Sequence, residues 1–116
     1  MPPRDWYFRI QDIIDAIDRV SEHTDGLEED SFAADKTAID AVLYCLAVIG
    51  EATRHIPETV QTSNSKIPWS DMQGMRNIVV HEYFGVSLPI IWHTARFDLP
   101  DLRRRLQAVI ENTSDE

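Results

Sequence analysis

Apolar side chains recur at helical spacing in this chain, and no stretch alternates convincingly at period two. That single property restricts it to an all-α fold. Ile10, Ile13, Ile14, Ile17 and Val20 fall on one helical face, while Asp12, Asp15, Asp18, Arg19 and Glu22 occupy the other. Gly26 is the expected stop. A second helix is expected from about Ala34 to His55, capped near Asp30 or Ser31 and ended by Pro57. Its stripe is Ile39, Val42, Leu43, Leu46, Ile49 and Gly50, which makes it the most buried helix. Thr62 to Lys66 is a loop by composition. Ser70-x-x-Gln73 has capping-box form and predicts a third helix from about Asp71 to Tyr83. Ser87 is the next candidate cap, with Pro89 tolerated in the first turn of its helix. Asp98-Leu99-Pro100-Asp101 predicts a kink or fresh start in the last helix, which continues through Leu102, Leu106, Val109 and Ile110. The expected architecture is an up-and-down four-helix bundle with a kinked or split C-terminal helix.

A chain of 116 residues with 43% hydrophobic residues suits one domain over 1–116. Its formal net charge of −9 argues against a strongly basic nucleic-acid binder. The charge is uneven: residues 1–58 carry five bases against thirteen acids, and residues 59–116 carry six against seven. An anionic ligand should therefore meet the second half. Cys45 is the sole cysteine, so an intramolecular disulfide and a cysteine-based metal site are excluded; in an apolar helix it reads as a buried thiol. The apolar run Ala41 to Gly50 is too short to span a bilayer, and the first residues lack an apolar signal core. A cytoplasmic protein without membrane association is expected.

Residues 76–83 read Arg-Asn-Ile-Val-Val-His-Glu-Tyr. Arg76 is a permanent cation, and His81 is a base of the type that titrates near neutrality. Together they can cut an RNA phosphodiester without a metal. His81 would move a proton at the 2′-hydroxyl or the leaving 5′-oxygen, and Arg76 would stabilise the pentavalent charge. Asn77 could orient His81 or hold a phosphate oxygen, and Tyr83 offers a phenol nearby. The product would be a 2′,3′-cyclic phosphate. Arg76 and His81 lie roughly 140° apart around an ideal helix. Convergence needs either a distorted helix end near Glu82–Gly85 or a second copy of the chain, which predicts a dimer with a composite cleft. The residues alone leave open an ordinary hydrogen-bonded packing cluster.

Other residues invite blander readings. His23, His55 and His93 are scattered without ligand spacing and read as structural or surface groups. Arg103-Arg104-Arg105 could hold RNA or an acidic partner, but a solvated helix face explains it as well. Trp69 and Trp92 could stack bases, yet helix packing accounts for them.

The motifs taken together resemble the HEPN superfamily, and within it the HepT-type toxins of the HepT/MntA (HEPN/minimal nucleotidyltransferase) toxin–antitoxin systems. Ile49-Gly50-Glu51-Ala52, Ile67-Pro68-Trp69, Gly74-Met75-Arg76-Asn77 and His81-Glu82-Tyr83-Phe84-Gly85 carry the resemblance, with Trp92 and Leu99-Pro100 in place. It implies a dimeric, all-helical, metal-independent endoribonuclease. This would be the toxin of a type VII-like system, acting on RNA such as tRNA or mRNA without a cofactor. Arg76 and His81 carry over as catalytic and Asn77 as support. Tyr83 carries over as the residue that a cognate nucleotidyltransferase antitoxin modifies with AMP, which would fill the cleft and offset Arg76. Glu51, a carboxylate on the most buried helix, needs a partner, and Arg76 is the expected one, unless Glu51 sits exposed on the rim. The alternative is a non-catalytic helical nucleotide- or partner-binding subunit of a nucleotidyltransferase complex.

Overall fold

The computed structural model describes residues 4–82 and 87–114, and the side chains of residues 5–77 and 87–112. Every regular element among them is helical: α1 (Arg4–Thr24), α2 (Glu29–Ala33), α3 (Lys36–Thr53), α4 (Glu58–Ser63), α5 (Trp69–Glu82), α6 (Leu88–His93) and α7 (Leu99–Ser114). A five-residue π-helical turn, Thr94–Asp98, joins α6 to α7. The all-α bundle anticipated from periodicity is the observed fold. Four long helices, α1, α3, α5 and α7, build it.

The α1 stripe is buried as expected, with Ile10, Ile13, Ile17 and Val20 at most 1% exposed. Thr24 closes the helix by donating its hydroxyl to the Val20 carbonyl at 2.9 Å. Gly26 then turns the chain at φ 76°, where a side chain would be strained. The expected cap of the next helix was misplaced. Residues 29–33 form the separate helix α2, which exists to bury Phe32 against the Trp92 ring of α6, centroids 5.3 Å apart. The true N-cap of α3 is Asp35, whose Oδ1 accepts the Ala38 N–H at 3.0 Å.

Helix α3 ends at Thr53, short of the expected His55. The Thr53 hydroxyl donates to the Ile49 carbonyl at 2.7 Å in the buried last turn. Pro57 occupies the N-cap of α4, so it opens a helix as well as barring the previous one. Thr62 and Ser63, read as loop, belong to α4. Helix α5 starts at Trp69, two residues before the expected start, because the Pro68 carbonyl accepts the Met72 N–H at 3.0 Å. The Ser70 capping box is therefore not the entry. Trp69 is 6% exposed and its indole N–H donates to the Asn64 carbonyl at 3.0 Å, so it is a packing residue. Ser87 is the N-cap of α6 and Pro89 sits in its first turn, both as expected.

The break before α7 is the π turn. The Leu99 N–H reaches back to the Thr94 carbonyl, five residues away. Pro100 has no N–H to offer the Arg96 carbonyl, and a wider turn accommodates that loss.

Helix α3 is the centre. It packs most extensively against α1 on one side and α5 on the other, while α1 also meets α7 and the π turn. Across the molecule an open cleft of about 570 Å³, lined by Met72 and Met75 from α5 and by Phe97, Leu99 and Leu102, separates α5 from the C-terminal helix.

Candidate functional site

The site is built where α3 and α5 touch. Gly50 makes the approach possible: a Cβ there would lie 2.7 Å from the Arg76 nitrogen and 2.8 Å from its Cβ. The next residue, Glu51, projects to the rim of the same contact. Its Oε1 lies 3.5 Å from Arg76 Nε, an ion pair looser than a hydrogen bond. Two residues on separate helices, with α4 and its loops between them in the chain, thus share one charged cluster. Glu51 is both half-exposed and paired, so its two sequence readings are reconciled.

Two further side chains, Arg54 and His55, meet the same carboxylate. Arg54 Nη1 donates to Oε1 at 3.3 Å, and His55 Nε2 stands 3.4 Å from Oε2. Desolvation pushes the Glu51 carboxyl upward. The Arg54 guanidinium, hydrogen bonds from His55 and Arg54, and the Arg76 charge outweigh it and hold the carboxyl below its ordinary value. It remains ionised at neutral pH. The cluster carries two guanidiniums and an imidazole around one negative charge, a local positive excess in a chain of net charge −9. Arg54 and His55 were not singled out for this place from sequence. The usable signal was the spacing Glu51-x-x-Arg54-His55, which puts both side chains on the glutamate's helical face.

Arg76 engages Glu51 through Nε, so the terminal amino edge of the guanidinium is the part that can meet an anion. Asn77 follows it and is exposed on α5. Helix α5 is continuous from Arg76 through Glu82. The side chain of His81 lies outside the described residues, as do Tyr83 and most of the stretch Glu82–Gly85 where a distorted helix end is one expectation. On the other flank of Glu51, a groove of about 420 Å³ between α1 and α3 is lined by Arg9, Asp12, Asp15, Arg19, Glu51 and His55, among others.

The remaining candidates resolve into structure. The arginine run is committed internally. Arg103 forms a fork to both Asp18 oxygens at 2.6 and 3.2 Å, Arg104 pairs with Asp101 at 2.8 Å, and Arg105 pairs with Asp101 and donates to the Lys66 carbonyl. Cys45 is buried, and that burial raises its thiol pKa. Trp92 is buried beneath Arg96, whose guanidinium carbon stands 5.2 Å from the ring centroid. Among the described residues no group of His, Cys, Asp and Glu has the arrangement of a metal site, and no helix is long and apolar enough to cross a membrane.

Comparison with known proteins places this geometry in a family. The family model described as "Ribonuclease HepT-like" matches residues 13–109, which include both sides of the Glu51–Arg76 contact. A Thermococcus cleftensis protein named as a probable ribonuclease HepT is 35% identical over 98 residues, covering 84% of this chain and 89% of its own. Two Methanocaldococcus jannaschii proteins named as candidate RNases are similar along nearly their whole lengths. One is 33% identical over 112 residues, covering 97% of this chain and 93% of its own; the other is 31% identical over 116 residues, covering both chains completely. No solved structure matches the chain significantly. The match over residues 13–109, across most of every long helix, shows that this chain belongs to the HepT-like ribonuclease family of the HEPN superfamily.

Proposed function

We propose that this protein is an endoribonuclease whose site is Arg76 and His81, supported by Asn77 and Glu51. The observation that carries the reading is the placement of Arg76. It stands on an exposed face of α5, aimed by a carboxylate from α3, inside a local positive cluster of an otherwise acidic chain. Membership of the family and the names of its relatives agree with that chemistry.

The internal 2′-hydroxyl of RNA attacks the adjacent phosphorus, and the 5′-oxygen leaves. His81 moves a proton at one of these oxygens, and Arg76 stabilises the charge that builds on the phosphoryl oxygens. Asn77 holds a phosphate oxygen or His81. Helix α5 is continuous across positions 76–81, and on an ideal helix positions five apart lie roughly 140° apart around the axis. A homodimer, in which two copies face each other and complete the cleft, accounts for this best. We assign the protein as the toxin of a pair whose antitoxin, a minimal nucleotidyltransferase, adds AMP to Tyr83 beside the cleft. The bulk and negative charge of that adduct would block RNA and offset Arg76.

The test is cleavage of RNA by purified protein in the presence of a chelator. Wild type should yield 2′,3′-cyclic phosphate ends, and folded His81→Ala and Arg76→Ala proteins should not. A folded His81→Ala protein with full activity removes the assignment. Mass spectrometry after co-expression with a neighbouring nucleotidyltransferase should find AMP on Tyr83. Adducts there on a protein that never cleaves RNA would instead make it a binding subunit.

A further inference from the structure

Glu51 holds more partners than one orienting ion pair needs. Arg54 Nη1 and Arg76 Nε both approach Oε1, at 3.3 and 3.5 Å, so the two guanidiniums compete for one oxygen. Arg54 has the advantage. It sits three residues on in the chain and is hydrogen-bonded, whereas Arg76 reaches over from α5. A guanidinium fork can take both oxygens of a carboxylate, so an open Oε2 would let Arg54 strengthen its hold. Oε2 is not open, because His55 Nε2 lies 3.4 Å from it.

We infer that His55 is a positioning residue of the Arg76 site: by holding Oε2 of Glu51, it keeps Oε1 turned toward Arg76 and prevents Arg54 from withdrawing the carboxylate. The inference rests on the ribonuclease reading of Arg76. The charged groups across the groove from His55 are Arg9, Asp12, Asp15 and Arg19 of α1, and Arg9 is already paired with Asp12 at 3.5 Å. The carboxylate that His55 meets is that of Glu51. All four side chains of the cluster are about half exposed, so solvent screens them and the effect is modest.

Cleavage kinetics on an RNA oligonucleotide give the test. His55→Ala should lower kcat about two- to five-fold with KM little changed, the range expected of an exposed ion pair. His55→Gln, which keeps an N–H donor, should recover most of the loss. The double variant Arg54→Ala/His55→Ala should also recover, because the competitor is gone. A histidine that merely supports the fold would not be rescued by removing Arg54. Wild-type kinetics in His55→Ala, or a double variant slower than His55→Ala, would overturn the inference. Arg76→Ala measured alongside separates the two readings. If it abolishes cleavage while His55→Ala is silent, only the role of His55 fails; if it cleaves normally, the site itself is wrong. Solvent exchange of the Arg76 Nε–H, followed by NMR, gives an answer without any catalysis. It should quicken in His55→Ala and slow again in the double variant, and unchanged exchange in His55→Ala sinks the proposal.

Discussion

A methyl group at position 50 challenges the contact on which the site is built. In Gly50→Ala the new Cβ would stand 2.7 Å from the Arg76 nitrogen, 2.8 Å from Arg76 Cβ and 3.1 Å from the Gln73 carbonyl oxygen. The first distance is 0.7 Å short of the 3.4 Å at which ordinary contact begins. The opposing atoms are backbone or fixed to it, so no rotamer change relieves them and α3 and α5 must part. Overpacking of this kind costs about 1–3 kcal/mol. Against that, replacing a mid-helix glycine by alanine contributes about 1 kcal/mol of helix propensity. With the clash at the upper end of its range, the net loss is about 1–2 kcal/mol. Gly74→Ala is the internal control: it lies within α5 and its Cβ would meet nothing within 4 Å, so only the gain of up to about 1 kcal/mol remains. Urea unfolding followed by circular dichroism should therefore place the two variants on opposite sides of wild type, about 2–3 kcal/mol apart. A Gly50→Ala protein as stable as Gly74→Ala would refute the close-approach argument and, with it, the account of how Glu51 reaches Arg76.

Glu51→Gln should flatten part of the acid dependence of stability. The native carboxyl is held below its ordinary value of 4.5, so its contribution is complete above that pH and disappears as pH falls through the lowered native value. Urea midpoints from about pH 3 to 7 should show wild type and variant converging on the acid side. Asp18→Asn removes the Arg103 fork that ties α1 to α7 and should cost about 0.5–1 kcal/mol, since both partners are partly exposed. The difference should shrink in high salt, and a salt-independent loss would point to packing instead. Cys45 should resist thiol reagents until the protein unfolds, as burial both shields it and disfavours the thiolate. Rapid labelling of native protein would contradict that placement.

The long helices were legible because burial leaves a period in the sequence. The α1 stripe reappears in the core, and so does the α3 stripe except for Ile39, which is partly buried against it. Helix ends were less legible, since a boundary depends on which of several polar residues bonds to which N–H. Asp30, Ser31 and Asp35 are all competent caps, and only the need to bury Phe32 in its own short helix selects Asp35. Pro100 announced a break in the last helix, but the form of the break, a π turn at 94–98, depends on backbone pairing that no residue type encodes. At the site, Arg76 was visible in its motif, and its pairing with Glu51 was anticipated from the cost of leaving a helix carboxylate alone. That His55 and Arg54 join the same carboxylate follows from spacing, yet it mattered only once Gly50 had brought α5 alongside. The Arg103–Arg105 run shows the opposite failure. It looks like a nucleic-acid surface in one dimension, and folding pairs it, still partly exposed, with Asp18, Asp101 and the Lys66 carbonyl.

That pairing sets how a polyanion finds the protein. With the three arginines of α7 set on the two carboxylates Asp18 and Asp101, little charge is left on that face, and the far field is that of the −9 chain, which repels. Attraction begins close to Arg54 and Arg76, whose two charges share one carboxylate, within about one Debye length, some 8–10 Å at physiological salt. Encounter should then quicken as salt rises from very low levels, because screening removes the distant repulsion before it weakens the contact. Most nucleic-acid-binding proteins slow under the same change. Such a molecule would ignore passing polyanions and engage only those delivered close to Arg54 and Arg76.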